Sequence, residues 1–401
     1  MTHGIVRTRR AVSITMHRIY LDHNATTPLR GEVFDAMAPF FLERFGNASS
    51  VHTFGQDAHA AVEEARTQVA ALINARPGEL VFTSGGTESD NLALKGILYA
   101  NRDRGNHLIT TQIEHSAILQ TCRFLEKEGF SVTYLPVDRD GLVDPDTVER
   151  AITDRTVLIS IMSANNEIGT IQPIRTIGAI ARKYSVFFHT DAVQSAGKLA
   201  IDVEAMQVDL LSLSAHKLYG PKGIGALYVR KGTRLEPMAH GGHQENNRRG
   251  GTENTPGIVG FGKATELALI ERETEFQRLT EMRNALETRI TDTIEDAHIN
   301  GHPTKRLPGT LNVSFPGAEG EALLMSLDLK GIAVSTGSAC SSGSIEPSHV
   351  LLALGLDPQT ALGSVRFSFG RDNTFADVDY VMAHLPGIVA RLRTVSGIAG
   401  R

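Results

Sequence analysis

The sequence predicts an α/β protein with a mostly parallel sheet, and three observations carry that prediction. From about residue 56 the chain alternates between helical and strand periods, the strand-length runs are short and apolar, and helical runs separate them. Such alternation implies βαβ units and a sheet covered on both faces. A long polar helix follows, from about Pro256 to Glu295, and leads toward a second domain. After "RLPGTLNVSFPG" helix and strand elements resume to the end.

Taken in order, "QDAHAAVEEARTQVAALINA" is an amphipathic helix, "ELVFTS" a strand and "TESDNLALKGILYA" a helix. "HLITTQ", "SAILQTCRFLEKEG", "SVTYLPV", "TVLISIM", "IRTIGAIARKY", "VFFHT", "DLLSLS" and "GALYVR" continue the alternation. In sheets of this kind ligands lie at the carboxyl ends of the strands. The residues just after each strand are therefore the place to look for chemistry.

Composition narrows the function. With 401 residues, 41% hydrophobic and 21% charged, a sizeable core is within reach. The 40 Lys and Arg against 45 Asp and Glu give a net charge of -5 without long runs of either sign. Neither nucleic acid nor an anionic membrane is an expected partner. No run of membrane-spanning length occurs, and the N-terminus lacks a signal-peptide core. Residues 1–17, with Arg7, Arg9 and Arg10, read as a disordered leader, and Met16 is an alternative start. Two cysteines, Cys122 and Cys340, support neither a disulfide framework nor a zinc module. A reducing cytoplasm fits.

After "VFTS" comes "GGTESDN". Its glycines allow close backbone approach, and a helix start favours a phosphate. Thr87 reads as the N-cap, with Asp90 three residues on approximating a capping box. A plain strand-to-helix turn explains the stretch about as well. No Walker motif is present in it or in "YGPKGIG".

After "VFFHT" come Asp191 and Gln194, and after "DLLSLS" come His216 and Lys217. An acid and a lysine at two strand ends are what a pyridoxal 5′-phosphate site requires. The lysine makes an imine with the aldehyde, and the acid keeps the pyridine nitrogen protonated. A lone lysine in a Gly/Pro loop is usually a surface charge; the neighbouring strand-end residues set Lys217 apart. To be nucleophilic it must be desolvated or lie near other cations, because an ordinary lysine has a pKa near ~10.4. His240 and His243 have a metal-like spacing, but no cysteine or carboxylate cluster joins them, and no metal site is expected. Cys122, in the helical run "ILQTCRFLEK", reads as a packed thiol.

Cys340 differs. In "VSTGSACSSGS" it is flanked by Ser338, Ala339, Ser341, Ser342 and Gly343, which cannot pack a core around a thiol. A solvated loop whose thiol works away from its anchor is expected.

Together, "SLSAHKLYGPKGIGALYV", "FHTDAVQSAGK", "ANNEIGT", "TSGGTESDN" and "GSACSSGSIEPSHV" resemble the cysteine desulfurases of the NifS/IscS type, from Ile19 to about Asp379. The resemblance implies a fold-type-I pyridoxal phosphate enzyme. Its large domain, residues 31–270, would hold a mostly parallel seven-stranded sheet between helices. A smaller α+β domain, residues 18–30 with 271–401, would carry the Cys340 loop. It also implies a cytoplasmic homodimer that takes sulfur from L-cysteine, releases L-alanine and passes a Cys340 persulfide to acceptor or iron–sulfur scaffold proteins. A selenocysteine lyase or class V aminotransferase is the alternative on the same fold.

Residue by residue, the resemblance makes Lys217 the Schiff-base lysine and Asp191 the partner of the pyridine nitrogen. His115 stacks on the ring, and Asn166 and Gln194 hydrogen-bond the phenolic oxygen. Gly86, Thr87, Ser214 and His216 hold the phosphate, joined by Thr252 from the other subunit. Arg366, with Asn166, binds the substrate carboxylate through its bidentate fork, and Cys340 accepts sulfur. The Cys340 thiol needs a cation nearby to ionise near neutral pH, and His115 is the candidate. The chain departs from the family at Ala48, where Pro is common, and at Asn246, where Arg is common.

Overall fold

A computed structural model of the chain describes residues 18–336 and 346–397. The expected leader and the Cys340 loop lie outside the described residues.

The described residues form twelve strands: β1 (Ile19–Tyr20), β2 (Leu80–Thr83), β3 (His107–Thr111), β4 (Ser131–Leu135), β5 (Thr156–Ser160), β6 (Phe187–Asp191), β7 (Leu210–Ser214), β8 (Gly225–Val229), β9 (His298–Asn300), β10 (Thr310–Ser314), β11 (Ile332–Ala333) and β12 (Ser364–Ser368). Seven of them make one sheet in the order β2-β8-β7-β6-β5-β3-β4. All neighbours are parallel except β8, which runs antiparallel to both β2 and β7. Every residue of β3, β5, β7 and β8 is buried, as a sheet with helices on both faces demands. One face packs residues such as Ile109, Ile159, Phe188 and Leu211 against helix Thr53–Leu72. The other packs Leu108, Leu158 and Leu210 against helices Gly86–Ala100 and Ser116–Lys127, where Cys122 is wholly buried.

The strands and helices expected from periodicity occur where their patterns stand. The long polar helix runs Thr255–Thr293. At 1.5 Å per residue it is ~58 Å long, enough to serve two cores. Ile258, Phe261 and Ala264 pack beneath the large sheet, whereas Leu279, Met282, Leu286 and Ile290 join a separate cluster with Leu311, Val365 and Phe367. That second cluster surrounds the antiparallel sheet β12-β10-β9. Ile19 and Leu21 belong to it as well, because β1 pairs in parallel with β11. The early segment of the chain is thereby carried back over the sheet and lands at the carboxyl ends of β6 and β7.

Candidate active site

A cavity of about 940 Å³ opens at those carboxyl ends. Gly86 and Thr87 enter it from beyond β2, and His115 from beyond β3. Asn166 follows β5, Asp191 ends β6 with Gln194 just after, and Ser214 ends β7 with His216 and Lys217 next. Arg366 comes from β12. Ten of the residues expected from sequence thus face one space. Thr252 does not line it and is exposed on the far loop, and Cys340 is outside the described residues.

Asp191, His115 and Lys217 form the electrostatic axis of the cavity. Asp191 Oδ1 accepts the Val193 N–H at 2.9 Å, and no salt bridge reaches the carboxylate among the described residues. Burial pushes its pKa up, while His115, the Val193 N–H and Lys217 pull it back. His115 is the N-cap of helix Ser116–Lys127, and its Nδ1 accepts the Ala117 N–H at 3.2 Å. Burial lowers the His115 pKa, Asp191 opposes the shift and Lys217 adds to it. The imidazole is therefore held toward its neutral form. Burial is the cause, and burial is not written in "IEHSA".

Lys217 Nζ donates to the carbonyl oxygens of Asn24 (2.5 Å) and Ala25 (2.7 Å). Asn24 is a hub that sequence reasoning missed. Its carbonyl also accepts from Gln194 Nε2 at 2.9 Å, and its amide donates to the Asn166 carbonyl (3.0 Å) and Thr310 Oγ1 (2.9 Å). Nothing in "LDHNATTPL" marks Asn24, since its burial arises only from the assembled fold. The Asn pair also resolves. Asn165 is buried and engaged with the Ile113 carbonyl and the Glu167 and Ile168 N–H groups, which leaves Asn166 to face the cavity.

At one pole, helix Gly86–Ala100 points its N-terminus into the cavity. The helix begins one residue before Thr87, with Gly85 as N-cap at φ 151°, a conformation that side chains disfavour. The predicted capping box is not formed. Glu88 instead accepts the Ser84 N–H at 2.7 Å, and Asp90 turns inward and is buried. Early N–H groups of the helix, with Thr87 and Ser214 beside them, make an anion site. His216, whose Nδ1 lies 3.1 Å from Thr26 Oγ1, is pushed down to about 4 by burial and by Lys217 and Lys222.

At the other pole, Arg366 donates Nη1 to the Asn166 carbonyl (2.9 Å) and Nη2 to Asp22 (2.7 Å), while its Nε is buried with no acceptor. Beside it lies buried Glu167, which accepts from Ser348 Oγ at 2.5 Å and is raised to about 7 by burial against the opposing Ser348 bond and Arg366. Beneath the axis is a layer of buried titratable groups. Burial raises Asp90, with Asp191 adding to the shift, and lowers His189 to about 3. The 3.7 Å approach of His189 to Asp90 is therefore no ion pair. His189 is oriented by Ser160 (2.9 Å) and Ser212 (3.0 Å).

These residues fit pyridoxal 5′-phosphate. Asp191 is a carboxylate whose pKa is raised by burial and which no salt bridge reaches among the described residues, a partner suited to a protonated pyridine nitrogen. A helix N-terminus faces the same space for a phosphate, and a lysine stands opposite for an aldehyde.

The loop bearing Thr252 is tied to the sheet by Glu245, which salt-bridges Arg66 at 2.8 Å and accepts the Phe82 N–H at 2.9 Å. Asn246 has φ 56°, a left-handed conformation that Asn tolerates better than Arg. The departure at this position thus has a local backbone reason.

The family model for aminotransferase class-V matches residues 19–381. The chain is 54% identical to the cysteine desulfurase IscS of Dictyoglomus turgidum over 378 residues, covering 94% of this chain and 96% of that protein. It is likewise 54% identical to the cysteine desulfurase IscS of Methanosarcina thermophila, covering 96% and 95%. Among solved structures, a NifS-like protein superposes with a TM-score of 0.88 at 40% identity, covering 94% of this chain and 100% of that one. SspA in complex with cysteine superposes at 0.78 with 41% identity, covering 88% and 98%.

Proposed function

The chain belongs to the aminotransferase class-V family and is 54% identical to cysteine desulfurases over 94% or more of its length, and we propose that it is a cysteine desulfurase dependent on pyridoxal 5′-phosphate. The observation that carries the proposal is the convergence of Asp191, His115, Lys217 and Arg366 on one cavity. When bound, the cofactor supplies an electron sink that activates the Cα–H and C–S bonds of cysteine.

The chain's own residues do the rest. Gly86, Thr87, Ser214 and His216 hold the phosphate, and Asp191 keeps the ring nitrogen protonated. His115, neutral and fixed by its Nδ1 contact, covers the ring, while Asn166 and Gln194 hold the phenolic oxygen. Lys217 would hold the cofactor through its aldehyde, and its amine would also serve to move the Cα proton of the substrate. Arg366 fixes the substrate carboxylate. Cys340 takes the sulfur: cysteine and a thiol become alanine and a persulfide, so atoms balance without an external oxidant. The persulfide then serves acceptor or iron–sulfur scaffold proteins.

A homodimer fits two features. Thr252 is exposed away from its own cavity, free to serve a neighbour's. One segment also exposes five large apolar side chains, Phe34 (55%), Phe41 (58%), Leu42 (83%), Phe45 (65%) and Phe54 (58%), with Phe45 and Phe54 stacked on each other, a feature that interaction surfaces share. No described helix is long and apolar enough to cross a membrane. With only two cysteines, the cytoplasm is the proposed compartment.

Release of alanine and sulfide from cysteine by the loaded protein tests the activity, and borohydride tests the site. Reduction should fix the cofactor on the tryptic peptide of Lys217. Fixation elsewhere, or alanine formation by Lys217→Ala at the wild-type rate, refutes the assignment.

A further inference from the structure

Lys198, which has no role in the proposal above, sits next to Lys217 without an acid to neutralise it. It follows Gly197, whose φ of +73° and lack of a Cβ are both required: a Cβ would meet Leu218 Cδ2 at 2.3 Å. The turn packed on Leu218 thereby delivers Lys198 beside the neighbouring lysine. Lys198 Nζ has only neutral amide oxygens as hydrogen-bond partners among the described residues, Gln194 Oε1 at 3.3 Å and Asn24 Oδ1 at 3.5 Å. Both lysines therefore hang on Asn24, one on its side chain and the other on its carbonyl.

The charged groups around Lys198 come from several elements. Lys217 faces it from the turn after β7, Arg366 from β12 and His23 from the segment after β1. The small cavity shared by Lys198 and Lys217 is also lined by Arg30, Arg272, Glu271, Glu275 and Arg371. Of these acids, Glu271 is paired with Arg30 at 2.6 Å and Glu275 with Arg278 at 2.7 Å. No salt bridge reaches Lys198 among the described residues.

We propose that Lys198 and Lys217 hold one proton between them, so that Lys198 becomes the ammonium when Lys217 gives up its own. The contacts rank the two. Short bonds to two carbonyls favour the charge on Lys217 at rest, whereas the long amide contacts of Lys198 stabilise a charge poorly. Burial, then Lys217 and Arg366, lower the Lys198 pKa to about 7. Lys217 must shed a proton before its amine can attack an aldehyde. The proton leaves one lysine nitrogen and joins the other, and the site keeps a single positive charge. Lys198 lines the small cavity and not the larger one, so it acts through Lys217 as a positioning residue for charge. The inference rests on Lys217 being the cofactor lysine.

The test is trace acetylation of the unloaded protein across pH, read lysine by lysine by mass spectrometry. In the wild type Lys198 should titrate well below an ordinary lysine. In Lys217→Met, or in wild type loaded with pyridoxal 5′-phosphate, its midpoint should rise by about one pH unit or more, because the competing charge is gone. Lys198→Met should take up pyridoxal 5′-phosphate about tenfold more slowly at neutral pH and recover at alkaline pH. Lys198→Arg should keep uptake fast, since a fixed guanidinium charge beside Lys217 holds its amine neutral. A Lys198 midpoint indifferent to the state of Lys217, or uptake by Lys198→Met as fast as by wild type at neutral pH, overturns the proposal. Borohydride fixation on Lys217 keeps the outcomes distinct: fixation with no Lys198 shift refutes the shared proton alone, and no fixation refutes the function proposed above.

Discussion

Arg366 and Asp22, 344 positions apart, are joined by a 2.7 Å ion pair at the edge of the cavity. The pair and the Asn166 carbonyl engage the two Nη atoms and leave Nε buried without an acceptor. A substrate carboxylate would meet a guanidinium already aimed and partly neutralised.

Arg366→Lys is therefore expected to raise the KM for cysteine about 10- to 100-fold, with a smaller change in kcat. A lysine keeps the charge but loses the planar fork, and a hydrogen bond to a charged group contributes ~1.5–3 kcal/mol. Steady-state kinetics decides the matter, and an unchanged KM would move the carboxylate site elsewhere.

The two cysteines should separate cleanly. Cys122 is wholly buried, and its thiol is pushed far up by burial, with Glu114 and Glu126 adding to the shift. Cys122→Ser should retain most activity, whereas Cys340→Ser should retain cofactor but lose sulfide release down to a reductant-dependent leak. Peptide mass spectrometry after brief exposure to cysteine should find the extra sulfur on Cys340; sulfur on Cys122 would sink this assignment.

Glu114 sets an alkaline limit on stability. Burial raises it to about 8 against hydrogen bonds from Thr111 and the Met162 N–H, with Asp191 adding to the rise. The folded state thus holds this proton more tightly than the unfolded chain does. Its contribution is fully present below the ordinary carboxylate range and is lost as pH rises from there through about 8. Glu114→Gln should melt like wild type near pH 5 and a few degrees higher near pH 9. Equal melting temperatures at both pH values would contradict the buried-acid account.

The exposed apolar segment predicts a dimer in solution. Light scattering should report twice the chain mass, and Leu42→Asp combined with Phe45→Asp should shift the population toward monomer. A monomeric wild type with full activity would rule out both the interface and a shared Thr252.

Much of this site was legible because its residues follow strands, and strand periods are written in the sequence. Asp191, His216 and Lys217 could be placed at sheet ends by counting apolar runs. Asn24 and Lys198 could not, since each is a single polar residue whose importance arises only when β1 pairs with β11 and a glycine turn packs on Leu218. Thr87 was misplaced by two positions, Gly85 being the N-cap, because a Gly-Gly pair does not reveal which glycine takes the unusual φ. The neutral state of His115 was hidden for the same kind of reason, since burial is a property of the assembled fold.

The 344-residue separation of Asp22 from Arg366 also orders events on the ribosome. The nascent chain emerges with Asp22 and Asn24 early, Lys217 midway and β12 late, and contacts this distant in sequence close slowly. β12 docks along β10, bringing Arg366 opposite Asn312. Until it does, the chain has Lys217 but lacks Arg366, so on the proposed roles a chain cut short before β12 would carry the cofactor lysine without the guanidinium that would receive the substrate carboxylate.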